Sequence, residues 1–143
     1  MEYINTIRLY VCSCIGAISS IIIKALGGWS EDMATLMIFM IVDYAMGLCI
    51  AAVWKKSNKS ENGALSSKSA WKGLIRKCAT FVCVLIGYRL DLTLGIDYVK
   101  TAVILAFISS EAISIIENMK IMGLELPEQL DKAIDLLTKK EEK

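Results

Sequence analysis

Hydrophobic positions along this chain fall into long runs separated by short polar breaks. The run Met33 to Trp54, MATLMIFMIVDYAMGLCIAAVW, is broken only by Asp43 and is ended by Lys55 and Lys56. A hydrocarbon core of about 30 Å takes roughly 20 apolar residues at ~1.5 Å of helical rise each, so this run is long enough to cross a bilayer. Three more runs resemble it: Leu9 to Leu26, with Lys24 near its far end where the stem can snorkel; Leu74 to Leu94, with Arg89 and Asp91 inside it; and Tyr98 to Glu117. Gly27 to Ser30 make a turn before Glu31 and Asp32. Gly95, Ile96 and Asp97 form a link too short for anything but an antiparallel neighbour. The pattern predicts an all-α integral membrane protein with about four transmembrane helices, near 9–26, 33–54, 74–94 and 98–117, in a membrane domain of residues 1–118. A cleaved signal peptide is the competing reading of the first run, because Arg8 precedes it. The nearly neutral start and the lack of a small-x-small cleavage site favour a membrane helix.

Beyond Asn118 the pattern changes to that of a cytoplasmic tail, residues 119–143. Gly123 ends the preceding helix and Pro127 suits the first turn of another, on which Leu126, Leu130, Ala133, Ile134 and Leu137 share a face. Glu128, Asp131 and Asp135 beside Lys132 make its polar face mixed rather than basic. A short amphipathic C-terminal helix of this kind suits a neighbouring chain better than anionic lipid; the other reading is a solvated tail, since a helix of about ten residues is marginal alone.

Charge then sets the orientation. The stretch 55–73 and its continuation carry Lys55, Lys56, Lys59, Lys68, Lys72, Arg76 and Lys77 against Glu61 alone. Short basic loops stay in the cytoplasm, so four crossings place both termini inside and Glu31, Asp32 and Asp97 outside. Tyr10, Trp29, Trp54, Trp71 and Tyr98 fall near the expected segment ends, where amphipathic rings prefer the interface. The overall net charge of +1 gives no domain-wide basic face for nucleic acid, and a mean hydropathy of +0.53 with 55% hydrophobic residues requires burial in lipid.

The intramembrane polar residues are Asp43, Gly47, Arg89, Asp91, Glu111 and Ser114. A charge at mid-membrane costs on the order of 3 kcal/mol and calls for a partner. Asp43 is therefore either a functional acid or a packing residue held by a neighbouring helix. Arg89 and Asp91, two apart, point away from each other. Counted from the outer helix ends, Arg89 lies roughly 8 Å deep and Asp43 roughly 15 Å, a difference the long arginine side chain can span. An Arg89 to Asp43 contact, within or between subunits, is thus expected. Ala102, Ala106, Ser110 and Ser114 recur every four residues, a spacing that lets helices approach closely in lipid, and Gly47 and Ala51 repeat it. Glu111 shares a different face with Phe107, Ser114 and Asn118, so this helix is expected to bury more than one face.

Catalytic apparatus is not evident. With no histidine, imidazole catalysis and histidine-ligated metals are excluded, and Cys12, Cys14, Cys49, Cys78 and Cys83 include no C-x-x-C pair. They read as small packing residues. No phosphate loop or nucleophile with a base is present, so neither a cofactor nor an enzyme is expected.

The order of features resembles the toxin-secretion and phage-lysis holin family, small proteins of phages of Gram-positive bacteria and of clostridial toxin loci. The resemblance is carried by VDYAMGL with Asp43 and Gly47, by WKKS, by SKSAWKGLIRKCA, and most specifically by SSEAISIIENMKIMGLELPEQLDKAIDLL. In the last, Glu111, Ser114, Glu117, Asn118, Gly123, Leu124 and Pro127 fit the family pattern. Glu125 departs from it, where an uncharged residue or a second proline is usual. The resemblance implies a homo-oligomer in the bacterial cytoplasmic membrane that assembles into holes, with an endolysin or a toxin as functional partner. The rival readings are a non-lytic, antiholin-like regulator and a small ion-coupled transporter subunit in which Asp43 and Glu111 bind protons or cations.

Overall fold

A computed structural model describes residues 2–54, 66–130 and 132. Among them the order is helix α1 (Glu2–Ala25), helix α2 (Glu31–Cys49) running on into a π-helical segment (Ile50–Trp54), helix α3 (Ser67–Leu94) and helix α4 (Val99–Ile121). The all-helical expectation holds, with no strand among the described residues. Among the described residues three stretches are long and apolar enough to cross a membrane: Tyr3–Ala25, Glu31–Val53 and Val99–Ile121. At 28 residues α3 is the longest helix, but Lys68, Lys72, Arg76, Lys77, Arg89 and Asp91 keep it out of that group.

Two boundaries move. Helix α3 begins at Ser67 rather than Leu74, so Lys68, Lys72, Arg76 and Lys77 are helical residues and not loop. Lys55, Lys56 and Lys59 lie outside the described residues. Helix α1 begins at Glu2 rather than Leu9, which puts Tyr10 inside a helix instead of at its end. Of the expected tail helix, the structure describes a first turn, where the Leu130 N–H donates to the Pro127 carbonyl at 2.9 Å, and an exposed Lys132–Glu128 pair at 2.6 Å. The remainder lies outside the described residues.

Helices α2, α3 and α4 pack around Met33, Leu36, Met40, Val84 and Ile104, with Phe81, Val103, Phe107 and Ile108 against them. The buried positions follow a 3-4 spacing characteristic of nearly parallel helices: Met33, Leu36, Met40 and Asp43 on α2, and Thr80, Val84, Gly87 and Asp91 on α3. On α4, Ile104, Ile115 and Asn118 follow the same rhythm. In the subunit α4 therefore packs through its large residues. Ala102, Ala106 and Ser110, expected to form the packing stripe, face outward, and only Ser114 of that row is half-buried.

Helix α1 stands apart, with none of its apolar span buried. It joins the bundle at its C-terminal end. There Leu26 meets the core, and the Gly27 carbonyl accepts from Lys100 Nζ at 3.2 Å while that ammonium lies 5.8 Å from the centre of the Tyr88 ring. Gly27 has φ +83°, and a Cβ there would stand 2.6 Å from the Tyr88 ring, so both conformation and space require glycine. All five cysteines are free and exposed, so they face outward rather than packing inside the subunit.

Candidate functional site

Asp43 occupies a core position of α2, twelve residues from the helix start at Glu31, or roughly 18 Å along the axis. Only 6% of its side chain is exposed. Three donors converge on it: Lys77 Nζ on Oδ2 at 2.9 Å, and Ser114 Oγ and Asn118 Nδ2 on Oδ1 at 2.6 and 3.0 Å. Lys77 also bridges to Glu111 Oε2 at 2.6 Å, so a single ammonium of α3 ties a carboxylate of α2 to one of α4. Both Lys77 and Glu111 have 14% of the side chain exposed. The formal charge of Asp43, Lys77 and Glu111 together is −1, offset in part by the Ser114 and Asn118 dipoles.

Such a cluster is what intramembrane ionisable groups require, since each charge finds an opposite charge and hydrogen bonds in place of water. The matching of depth explains the partner. Lys77 lies fourteen residues, about 21 Å, from Asp91, which marks the same end of the bundle as Val99; Glu111 is twelve residues, about 18 Å, from Val99. Arg89 sits at the wrong level. The contact within the subunit that depth counting assigned to Arg89 belongs to Lys77. Arg89 is exposed and its side chain makes no hydrogen bond or ion pair among the described residues.

Asp91 also has a role different from the expected one. Its carboxylate accepts the Val99 and Lys100 N–H groups at 2.9 Å each, and its carbonyl accepts from Ile96 at 3.0 Å. It caps the N-terminus of α4, where free N–H groups and the helix dipole favour a negative charge. Gly47 is half-buried on α2. At the opposite end of the bundle the Tyr44 hydroxyl donates to the Ala70 carbonyl at 3.3 Å.

The structure thus gathers Asp43, Glu111 and Ser114, and leaves Arg89 and Asp91 elsewhere. Lys77 and Asn118 complete the cluster without having been assigned to it. Asn118 had a visible signal, its shared face with Glu111. Lys77 had a subtler one, the phase Lys77, Thr80, Val84, Gly87, Asp91 along one face. Among the described residues no group of His, Cys, Asp or Glu could hold a metal.

Long apolar helices closed around an intramembrane charge cluster define a helical membrane protein. The chain belongs to the bacteriophage holin family, whose model matches residues 20–139. It is 31% identical over 93 residues to a probable holin of Bacillus phage phi105, an alignment covering 64% of this chain and 63% of that protein. An uncharacterised protein of Halalkalibacterium halodurans is 33% identical over 123 residues, with 82% of this chain and 85% of the relative covered. An uncharacterised protein of Listeria monocytogenes is 36% identical over 100 residues, covering 69% of this chain and about two thirds, 66%, of its own length. No solved structure matches.

Proposed function

We propose that this chain is a holin. It accumulates in the bacterial cytoplasmic membrane, assembles with copies of itself and opens holes that let an endolysin, or in related systems a toxin, leave the cytoplasm. The observation that carries this reading is membership of the holin family across residues 20–139, together with the probable phage holin among its relatives.

The geometry supports a subunit with four crossings. Lys77 is neutralised by two carboxylates and Asp91 by backbone N–H groups, so two of the charges that make α3 look too polar are already satisfied inside the bundle. Four crossings leave both termini on the side of the basic 55–73 stretch, the cytoplasm. The outward row Ala102, Ala106 and Ser110 gives α4 a surface of small residues against which a neighbouring copy packs closely.

The test is expression of the intact chain in a bacterium carrying a cytoplasmic endolysin without an export signal, following turbidity and membrane potential together. Sudden depolarisation, followed by lysis only when the endolysin is present, is the expected result. Continued growth with the protein correctly inserted rules the holin reading out and leaves a non-lytic regulator. Ion-coupled flux without loss of viability identifies a transporter subunit.

A further inference from the structure

Arg89 lies five residues from the end of α3, about 8 Å along the helix, and it has no protein partner among the described residues. On the same helix face, at spacings of four, seven and eleven residues, stand Leu85, Val82 and Cys78. These three line an apolar groove of about 460 Å³ between the C-terminal end of α1, the start of α2 and α3. Ile22 and Leu26 line it at the end of α1, Met33 and Met37 on α2, and Trp29, also in its lining, is 55% exposed. The volume is in the range of small-ligand sites, about 300–1,000 Å³.

We infer that this groove holds one acyl chain of a phospholipid whose phosphate is bound by Arg89. The pieces fit one occupant: a wall of hydrocarbon, an exposed aromatic ring of the kind that settles at headgroup level, and, on the helix face that lines the groove, a guanidinium without a partner among the described residues. Guanidinium is the side chain whose fork geometry matches phosphate oxygens bidentately, and it is more weakly hydrated than an ammonium. Lys100 does not compete for the role, because its Nζ is engaged by the Gly27 carbonyl and the Tyr88 ring. A second copy of the chain, which carries Glu31 and Asp97 at this end of the bundle, is the competing occupant, and the titration below separates the two.

Trp29 makes occupancy measurable. The full chain carrying Trp54→Phe and Trp71→Phe, with Trp29 its only remaining tryptophan, is placed in vesicles of phosphate-free galactolipid, and phosphatidylglycerol brominated near the glycerol end of its chains is titrated in. Quenching that saturates at a low mole fraction is expected, whereas brominated galactolipid should quench only in proportion to its bulk amount. Arg89→Gln should raise the mole fraction for half-quenching about tenfold or more, the worth of a charge-assisted hydrogen bond. Val82→Phe, which fills the groove and keeps the arginine, should remove the saturable component. Equal, non-saturating quenching by both lipids overturns the site. So does quenching that depends only on the protein-to-lipid ratio, which means a second copy occupies the groove. Should a variant fail to fold, the comparison of the two lipids on the unaltered groove decides alone.

Discussion

Lys77 is the residue on which the bundle's polar centre depends, because one ammonium serves two carboxylates from different helices. Lys77→Met removes the ammonium that bridges Asp43 and Glu111. Breaking a buried pair by removing one partner costs about 3–5 kcal/mol, and unfolding in mixed detergent micelles should show a loss of that order. Removing both charges of the pair, in Asp43→Asn with Lys77→Met, should be milder than Lys77→Met alone, since the carboxylate that loses its bridging ammonium is neutralised with it. Equal losses in the single and double variants would mean that the charges of Asp43 and Lys77 are not coupled. Asp43 and Glu111 were readable because a carboxylate inside an apolar run has no other explanation. Lys77 was hidden because, at the end of a run of basic residues, a lysine reads as an orientation signal, and only helix phase separates the inward one from its neighbours.

At the level of elements, the α3–α4 hairpin is held by backbone chemistry at its tip and by close approach below it. Asp91 accepts two N–H groups of the first turn of α4, so Asp91→Ala should cost about 0.5–2 kcal/mol, the usual worth of a helix cap. Thermal unfolding in detergent measures it, and Asp91→Asn should retain part of the stability. Four residues earlier, a Cβ at Gly87 would lie 3.1 Å from the Lys100 Cα, a backbone atom that cannot swing away. Gly87→Leu should therefore force the two helices apart and lower the midpoint of the same transition by more than Asp91→Ala does. The hairpin itself was legible from the three-residue link. The role of Asp91 was not, because a carboxylate near a helix end can cap the next helix or face lipid, and the direction of the following helix decides between them.

Over the whole molecule, α2, α3 and α4 form the packed unit, and α1 touches it mainly at the Leu26 to Trp29 corner. Ile104 is fully buried, whereas Ile15 is 59% exposed. Ile104→Ala should cost about 2–5 kcal/mol by cavity formation, while Ile15→Ala should change the subunit's unfolding free energy by less than about 0.5 kcal/mol. If α1 contributes to assembly between copies, Ile15→Ala should alter lysis timing in the endolysin assay while leaving subunit stability unchanged.

Much of this protein follows from sequence alone: the helical class, the antiparallel hairpin, the turn at Gly27 and Gly28, and the family. Each of these is set locally, by the run of apolar residues, the length of a link or the order of short motifs. Tertiary structure alone decided that within the subunit Lys77 rather than Arg89 meets Asp43, that Asp91 caps α4, and that the small residues of α4 face outward. Those outcomes depend on how three helices are rotated and shifted against one another. A rotation of about 100° about a helix axis, the step from one residue to the next, exchanges a buried position for an exposed one without altering any hydropathy along the chain.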